Sequence, residues 1–172
     1  KVACCESNPS ADPKGEPRLG GTCVNVGCIP SKALLHTSHL FAQAAHDFAA
    51  QGIQVSAPKI DVPTMIGRKN GIVNQLTSGI KSLFKKNKVT LLPGHGAFVG
   101  PDTGGWKLSV GEEEVVAKEV IIATGSRPRH LPGVPVDNRL VCDNVGALDI
   151  DSVPKTLLII GAGVIGLEMG SV

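Results

Sequence analysis

An α/β fold is what this sequence predicts, on three observations. Two helical periodicities follow one another over Pro30–Ala50 and Val62–Lys86, a block of short alternating strands comes after them, and a glycine-punctuated turn at Gly161–Gly166 lies between an apolar run and an opening helix. Helices and strands mixed in this way are layered on a sheet. The turn has the Gly-x-Gly-x-x-Gly spacing of doubly wound nucleotide-binding folds. The expected architecture is therefore a three-layer, Rossmann-like unit with a helical pair and a β-meander, followed by the start of a second Rossmann unit.

Composition bounds the function. The 172 residues suit one domain or one and a fraction. With 42% hydrophobic residues, 21 Gly and 12 Pro, the chain is globular and rich in tight turns. Seventeen basic against 15 acidic residues leave a net charge of +2, and only 3% of residues are aromatic, so nucleic acid is not an expected partner. No apolar run approaches the ~18–20 residues of a membrane span, and Lys1–Ser7 has no apolar signal core, so a soluble chain without a membrane partner is expected. Five cysteines, an odd number, argue against a secreted disulfide framework.

In order, Val2–Cys5 reads as a short buried strand ending at Glu6, and Ser7–Leu19 as a connection in which Ala11–Arg18 resembles an insertion. The first helix has Pro30 in its opening turn and Gly52 as its stop. The second carries Ile66, Val73, Leu76, Ile80 and Leu83 on one stripe, with Lys85 and Lys86 at the end where the dipole favours cations. Val89–Leu92, Trp106–Val110, Glu114–Ala117 and Glu119–Ala123 read as strands of a meander returning to the main sheet. Ser126–Asp137 holds three prolines and crosses the surface. A domain boundary is expected near Pro154, with residues 1–153 in the first unit and 154–172 opening the second through a strand at Leu157–Ile160 and a helix from Leu167.

The chemistry concentrates at Gly20–Lys32, where Cys23 and Cys28 stand at the mouth of the first helix. A helix N-terminus stabilises a nearby thiolate, the attacking species in thiol–disulfide exchange. Gly27 and Pro30 allow a turn sharp enough to bring both sulfurs within disulfide reach. The spacing alone also fits two packed core cysteines or half of a zinc site, although a zinc site needs further ligands and no second Cys/His cluster is visible.

The whole string Gly-Gly-Thr-Cys-Val-Asn-Val-Gly-Cys-Ile-Pro-Ser-Lys resembles the redox-active motif of the pyridine nucleotide-disulfide oxidoreductases. Ile-Pro-Ser-Lys-Ala-Leu-Leu is most similar to the branch that oxidises dihydrolipoamide. The glutathione-reducing relatives usually have two lysines after the proline, and the mercuric-ion-reducing relatives usually have Val before it; the latter are the closer rival. The resemblance covers nearly the entire chain, with three motifs in the expected order.

The resemblance implies FAD and NAD as cofactors and Cys23 and Cys28 as a catalytic redox disulfide, Cys23 exchanging with substrate and Cys28 facing the flavin. It makes residues 1–153 part of an FAD-binding domain, without its first strand and Gly-rich loop, and residues 154–172 the beginning of an NAD-binding domain. Toward FAD it assigns Glu6 to the ribose hydroxyls, Gly21, Thr22 and Cys23 to the loop over the cofactor, Lys32 to the isoalloxazine, His95–Gly96 to the adenine, and Ala123, Thr124, Gly125 and Ser126 to a contact at the end of the returning strand. Toward NAD it assigns Gly161, Gly163, Val164, Ile165 and Gly166, with Glu168 near the nicotinamide. The first two glycines allow the tight turn and close approach of pyrophosphate, and the third allows helix–strand packing.

The implied partners are dihydrolipoamide on a lipoyl domain of a 2-oxo acid dehydrogenase complex and a second copy of the parent chain. The implied compartment is a bacterial cytoplasm or a mitochondrial matrix. None of the five histidines stands in the His-Pro-Thr context of the family's base, and the first FAD fingerprint is expected before Lys1, so residues 1–172 alone are expected to be inactive. A redox-sensing module using the same two cysteines without catalysis is the alternative. Cys4, Cys5 and Cys142 read as packing or lone thiols; His36, His39, His46 and His130 read as solvated or capping, and no metal is expected.

Overall fold

The computed structural model describes residues 1–9 and 15–172. Of the insertion-like stretch, Ala11–Lys14 lie outside the described residues. The chain divides into two compact units, Lys1–Gly21 with Leu76–Ser126, and Thr22–Gln75 with Arg127–Val172.

In the first unit, β1 (Val2–Glu6) runs parallel to β2 (Val89–Pro93), with Val2 beside Val89 and Glu6 beside Pro93. The amide of Gly94 donates to the carbonyl of Glu6 at 2.9 Å, which extends the pairing past the strand end. β3 (Gly96–Asp102), β4 (Gly105–Val110) and β5 (Glu113–Ala117) form an antiparallel meander whose buried side chains are Leu108 and Val110. Phe98 and Trp106 meet edge to face at 5.6 Å, and Lys107 pairs with Glu114 across β4 and β5 at 2.7 Å. Gly105 is fixed by geometry: its φ is +135°, and a Cβ there would lie 2.3 Å from the Ala117 carbonyl oxygen.

Two sequence expectations fail in physically instructive ways. Glu119–Ala123 and Leu157–Ile160 form no strand, and their side chains lie open, Ile121 at 92% and Leu158 at 83% exposure. An apolar run becomes a strand when neighbours complete its hydrogen-bond ladder, and among the described residues no strand pairs with either. Conversely, β3 was not expected, because Gly96, Gly100 and Pro101 punctuate it. It is an edge strand with a register shift between Phe98 and Gly100, a setting where proline and glycine are tolerated.

The second unit is helical. α1 (Gly21–Val26), begun by the last residue of the first unit, and α2 (Cys28–Ala42) are separated by Gly27 alone. α2 continues through a π turn at Gln43–Asp47 and a 3₁₀ turn at Ala49–Gln51 to Gly52, whose φ of +79° ends the run as expected. α3 (Val62–Lys86) has the predicted bounds, and its part from Leu76 onward belongs to the first unit. Asp61 caps it by accepting from the Thr64 amide at 3.0 Å and the Thr64 hydroxyl at 2.7 Å, which holds the Asp61 carboxyl below its usual range. α4 (Asn144–Ala147) and α5 (Val164–Ser171) complete the unit, α5 starting ahead of the expected Leu167. The core is Leu34, Val62, Met65 and Leu148, with Val26, Ile66 and Met169 packed against it. Lys69 is also buried; its Nζ donates to the Leu148 carbonyl at 2.8 Å and reaches Asp149 at 2.5 Å.

Candidate functional site

Cys23 sits in α1 and Cys28 opens α2. The turn between them depends on Gly27, where a Cβ would lie 2.9 Å from the Thr22 carbonyl oxygen and 3.3 Å from Cys23 Cα. α2 has no side-chain cap, and Pro30 in its first turn has no amide hydrogen to satisfy, so the positive end of a 15-residue helix faces the pair. Both cysteines are exposed free thiols. A hydrogen bond with Cys28 stabilises the protonated form of Cys23 and pushes that thiol above its ordinary value. The two thiols are therefore in hydrogen-bond contact, Cys23 on the protonated side. Among the described residues no three His, Cys, Asp or Glu side chains converge as metal ligands.

The cysteines line a cleft of about 440 Å³ together with Thr22, Lys32, Val164, Ile165 and Glu168. Lys32 and Glu168, separated by 136 positions in the sequence, form an ion pair in it. The second carboxylate oxygen of Glu168 accepts from the hydroxyl of buried Ser31. Lys32, and after it Ser31, hold the Glu168 carboxyl below its usual range. A mostly apolar cleft with two thiols, an ion pair and a helix N-terminus on its walls suits a flat, electron-accepting ring system.

At the glycine-rich turn, Gly161 has φ +102°, space at Gly163 is open, and a Cβ at Gly166 would lie 2.9 Å from Ile159 Cγ2. Turn, open approach and close packing are the three properties a dinucleotide fingerprint needs, so these residues fit a pyrophosphate at the N-terminus of α5.

The remaining candidates lie in the other unit. Gly96 lies beside Cys5 of β1, where a Cβ would make ordinary contact at 3.4 Å with that of Cys5. One oxygen of Glu6 accepts from the Ser7 and Asn8 amides, each at 2.9 Å, orienting the carboxylate at the strand end. Gly21 and Gly125 adopt φ of +61° and +75° with open space around them, and Ala123–Ser126 are exposed without regular structure.

Sequence reasoning missed Ser31, Lys69 and Asn144. Ser31 lies inside the quoted motif beside Lys32; no signal in the sequence marks the other two. Asn144 donates from Nδ2 to the carbonyl of Val26 at 2.6 Å, between the two cysteines.

The family described as "Pyridine nucleotide-disulphide oxidoreductase" matches residues 1–172. The chain belongs to this family. Its relatives in the pyridine nucleotide-disulphide oxidoreductase family include dihydrolipoyl dehydrogenase of Cupriavidus necator, 61% identical over 99% of this chain and 36% of the relative. The mitochondrial dihydrolipoyl dehydrogenase of Pisum sativum is 54% identical over 90% of this chain and 31% of its own length. A leghemoglobin reductase of Glycine max is 51% identical over 90% and 30%. The chain spans about a third of the length of the curated relatives it matches. In fold, it is similar to the crystal structure of LpdA from Mycobacterium tuberculosis, with a TM-score of 0.74 at 20% identity over 90% of this chain and 32% of that one. The α/β, Rossmann-like class expected from sequence agrees with that likeness. No helix among the described residues is long and apolar enough to cross a membrane.

Proposed function

We propose that this chain is part of a dihydrolipoyl dehydrogenase, which oxidises dihydrolipoamide through a Cys23–Cys28 disulfide and FAD and reduces NAD. Residues 1–153 belong to its FAD-binding domain and residues 154–172 open its NAD-binding domain. The observation that carries the reading is the cleft in which the thiol pair and the Lys32–Glu168 pair stand together. The 61% identity to a dihydrolipoyl dehydrogenase supports the same choice of substrate over mercuric ion or glutathione disulfide.

In the reaction, one thiolate of dihydrolipoamide attacks Cys23 Sγ of the disulfide; the S–S bond breaks and Cys28 leaves as the thiolate. The second substrate thiol then attacks its own sulfur in the mixed disulfide, so the lipoamide S–S bond forms and Cys23 leaves. Its hydrogen bond with Cys28 favours Cys23 as the protonated partner in the dithiol that results. FAD held by Lys32 and the Gly21–Cys23 segment would supply the two-electron chemistry that links this dithiol to NAD. Lys32 and Glu168 hold one positive and one negative charge at the wall of the cleft, Ser31 fixes the carboxylate, and Val164 and Ile165 add apolar lining.

Toward FAD the contacts are Glu6, Gly21, Thr22, Cys23, Lys32, Gly96 and Ala123–Ser126; toward NAD they are Gly161, Gly163, Val164, Ile165, Gly166 and Glu168. The partners are a lipoyl domain of a 2-oxo acid dehydrogenase complex and a second copy of the parent chain, in a bacterial cytoplasm or mitochondrial matrix.

Dihydrolipoamide-dependent NAD reduction by the whole protein tests this. Cys23→Ser and Cys28→Ser are each expected to bring turnover to background. Turnover retained by Cys28→Ser, or a preference of the unmodified protein for mercuric ion or glutathione disulfide, would overturn it.

A further inference from the structure

The turn between the two cysteines is held by a segment far from it in sequence. Val26 ends α1, where a helix leaves carbonyls without intrahelical partners, and the next residue, Gly27, has the conformational freedom to rotate the Val26–Gly27 peptide. Asn144 Nδ2 donates to that carbonyl at 2.6 Å across 118 positions of sequence.

The segment that presents Asn144 is built to be stiff. Asp137 Oδ1 accepts from the amides of Arg139, Leu140 and Val141 at 2.9 to 3.0 Å. Asn138, at φ +53°, accepts from the amides of Asp143 and Gly146, and any Cβ at Gly146 would lie 2.6 Å from its Oδ1. Asp143 caps α4 through the Val145 amide at 2.8 Å. Buried Lys69 ties the far end by donating to the Leu148 carbonyl.

We propose that Asn144 is a positioning residue for the redox pair: its bond to the Val26 carbonyl fixes the turn between Cys23 and Cys28 and so sets the potential of their couple. The proposal rests on the reading of those cysteines as a reversible dithiol and disulfide. A disulfide tolerates a narrow range of Cα separations, so a turn held in place raises the effective concentration of one sulfur at the other and favours the bond. Without Asn144 the turn relaxes and the disulfide loses part of that advantage.

The test equilibrates the whole protein with oxidised and reduced dithiothreitol. Forming the Cys23–Cys28 bond releases two electrons and two protons, which convert one oxidised dithiothreitol to its dithiol. Alkylation and intact mass then read the dithiol fraction. Asn144→Leu, which keeps the volume without a donor, and Asn144→Ala are both expected to lower the equilibrium constant for disulfide formation by about three- to tenfold, the tenfold limit being ~30 mV. An unchanged constant in whichever variant folds overturns the proposal, even if its Tm falls, because a merely structural role would move only the melt. Unmodified protein that shows no two-electron equilibrium at all instead removes the redox reading on which the proposal stands.

Discussion

Glu168 receives the Lys32 ammonium on one carboxylate oxygen and the Ser31 hydroxyl on the other, joining the glycine-rich turn of α5 to the helix that carries Cys28. Both contacts favour the carboxylate, so the group titrates below its ordinary value. A depressed carboxyl contributes stability above its unfolded pKa, about 4.3 for Glu, and loses it as pH falls through the folded value. The melting temperature of Glu168→Gln should therefore trail that of the unmodified protein by a constant amount from pH 7 to about pH 5, and the gap should close as pH falls below the ordinary carboxylate range. Thermal melts across that range decide it; a gap that widens in acid would show that the carboxylate is not the stabilised form.

Much of this site was legible beforehand because its pieces are local. Cys23, Gly27, Cys28 and Lys32 fall in one continuous motif, and the helix bounds at Val62 and Lys86 follow from side-chain period alone. Pairing is not local, and there the reading of residues had less to work with. Lys32 and Glu168 were each assigned a place near a cofactor without any sign that they touch. Asn144 and Lys69 carry no local signature, since an asparagine opening a short helix and a lysine on a long one are ordinary surface residues until the fold gives their heads a partner. The same distinction explains Glu119–Ala123 and Leu157–Ile160: apolar pattern announces a strand, but the ladder that makes it one belongs to its neighbours.

The hydrogen bond between the two thiols gives a second expectation. Cys23 is held above its ordinary value first by its hydrogen bond with Cys28. Removing the partner in Cys28→Ala should shift the pH profile of Cys23 alkylation by iodoacetamide to lower pH, since only the thiolate reacts. Rates read by mass spectrometry after full reduction would show this. A profile that stays in place would mean that Cys28 is not the cause.

The glycine-rich turn separates packing from ligand approach. Gly166→Ala places a methyl 2.9 Å from Ile159 Cγ2 and 3.0 Å from the Gly161 carbonyl oxygen, so it should cost about 1–3 kcal/mol of stability. Gly163→Ala meets open space, and its cost should stay near the ~0.5–1 kcal/mol of a poorer helix cap while the KM for NAD rises. Denaturant melts and initial rates on both variants are the measurement, and the reverse order of stability would contradict the assignment of their roles.

Lys69 supplies the last expectation. Its head is buried, with the Leu148 carbonyl at 2.8 Å and Asp149 at 2.5 Å, but the Asp149 side chain is 58% exposed. The two partners therefore differ in what water can replace. Lys69→Met keeps the aliphatic stem against the core and leaves the Leu148 carbonyl without its donor, which should cost about 1–3 kcal/mol. Asp149→Asn leaves an amide oxygen able to accept from the same ammonium at a solvated position, and should cost less than about 1 kcal/mol. Urea melts of the two variants distinguish a buried carbonyl bond from a surface ion pair as the main tie: equal losses, or a larger one at Asp149, would mean that the charge and not the carbonyl holds α3 to the segment that bears Asn144.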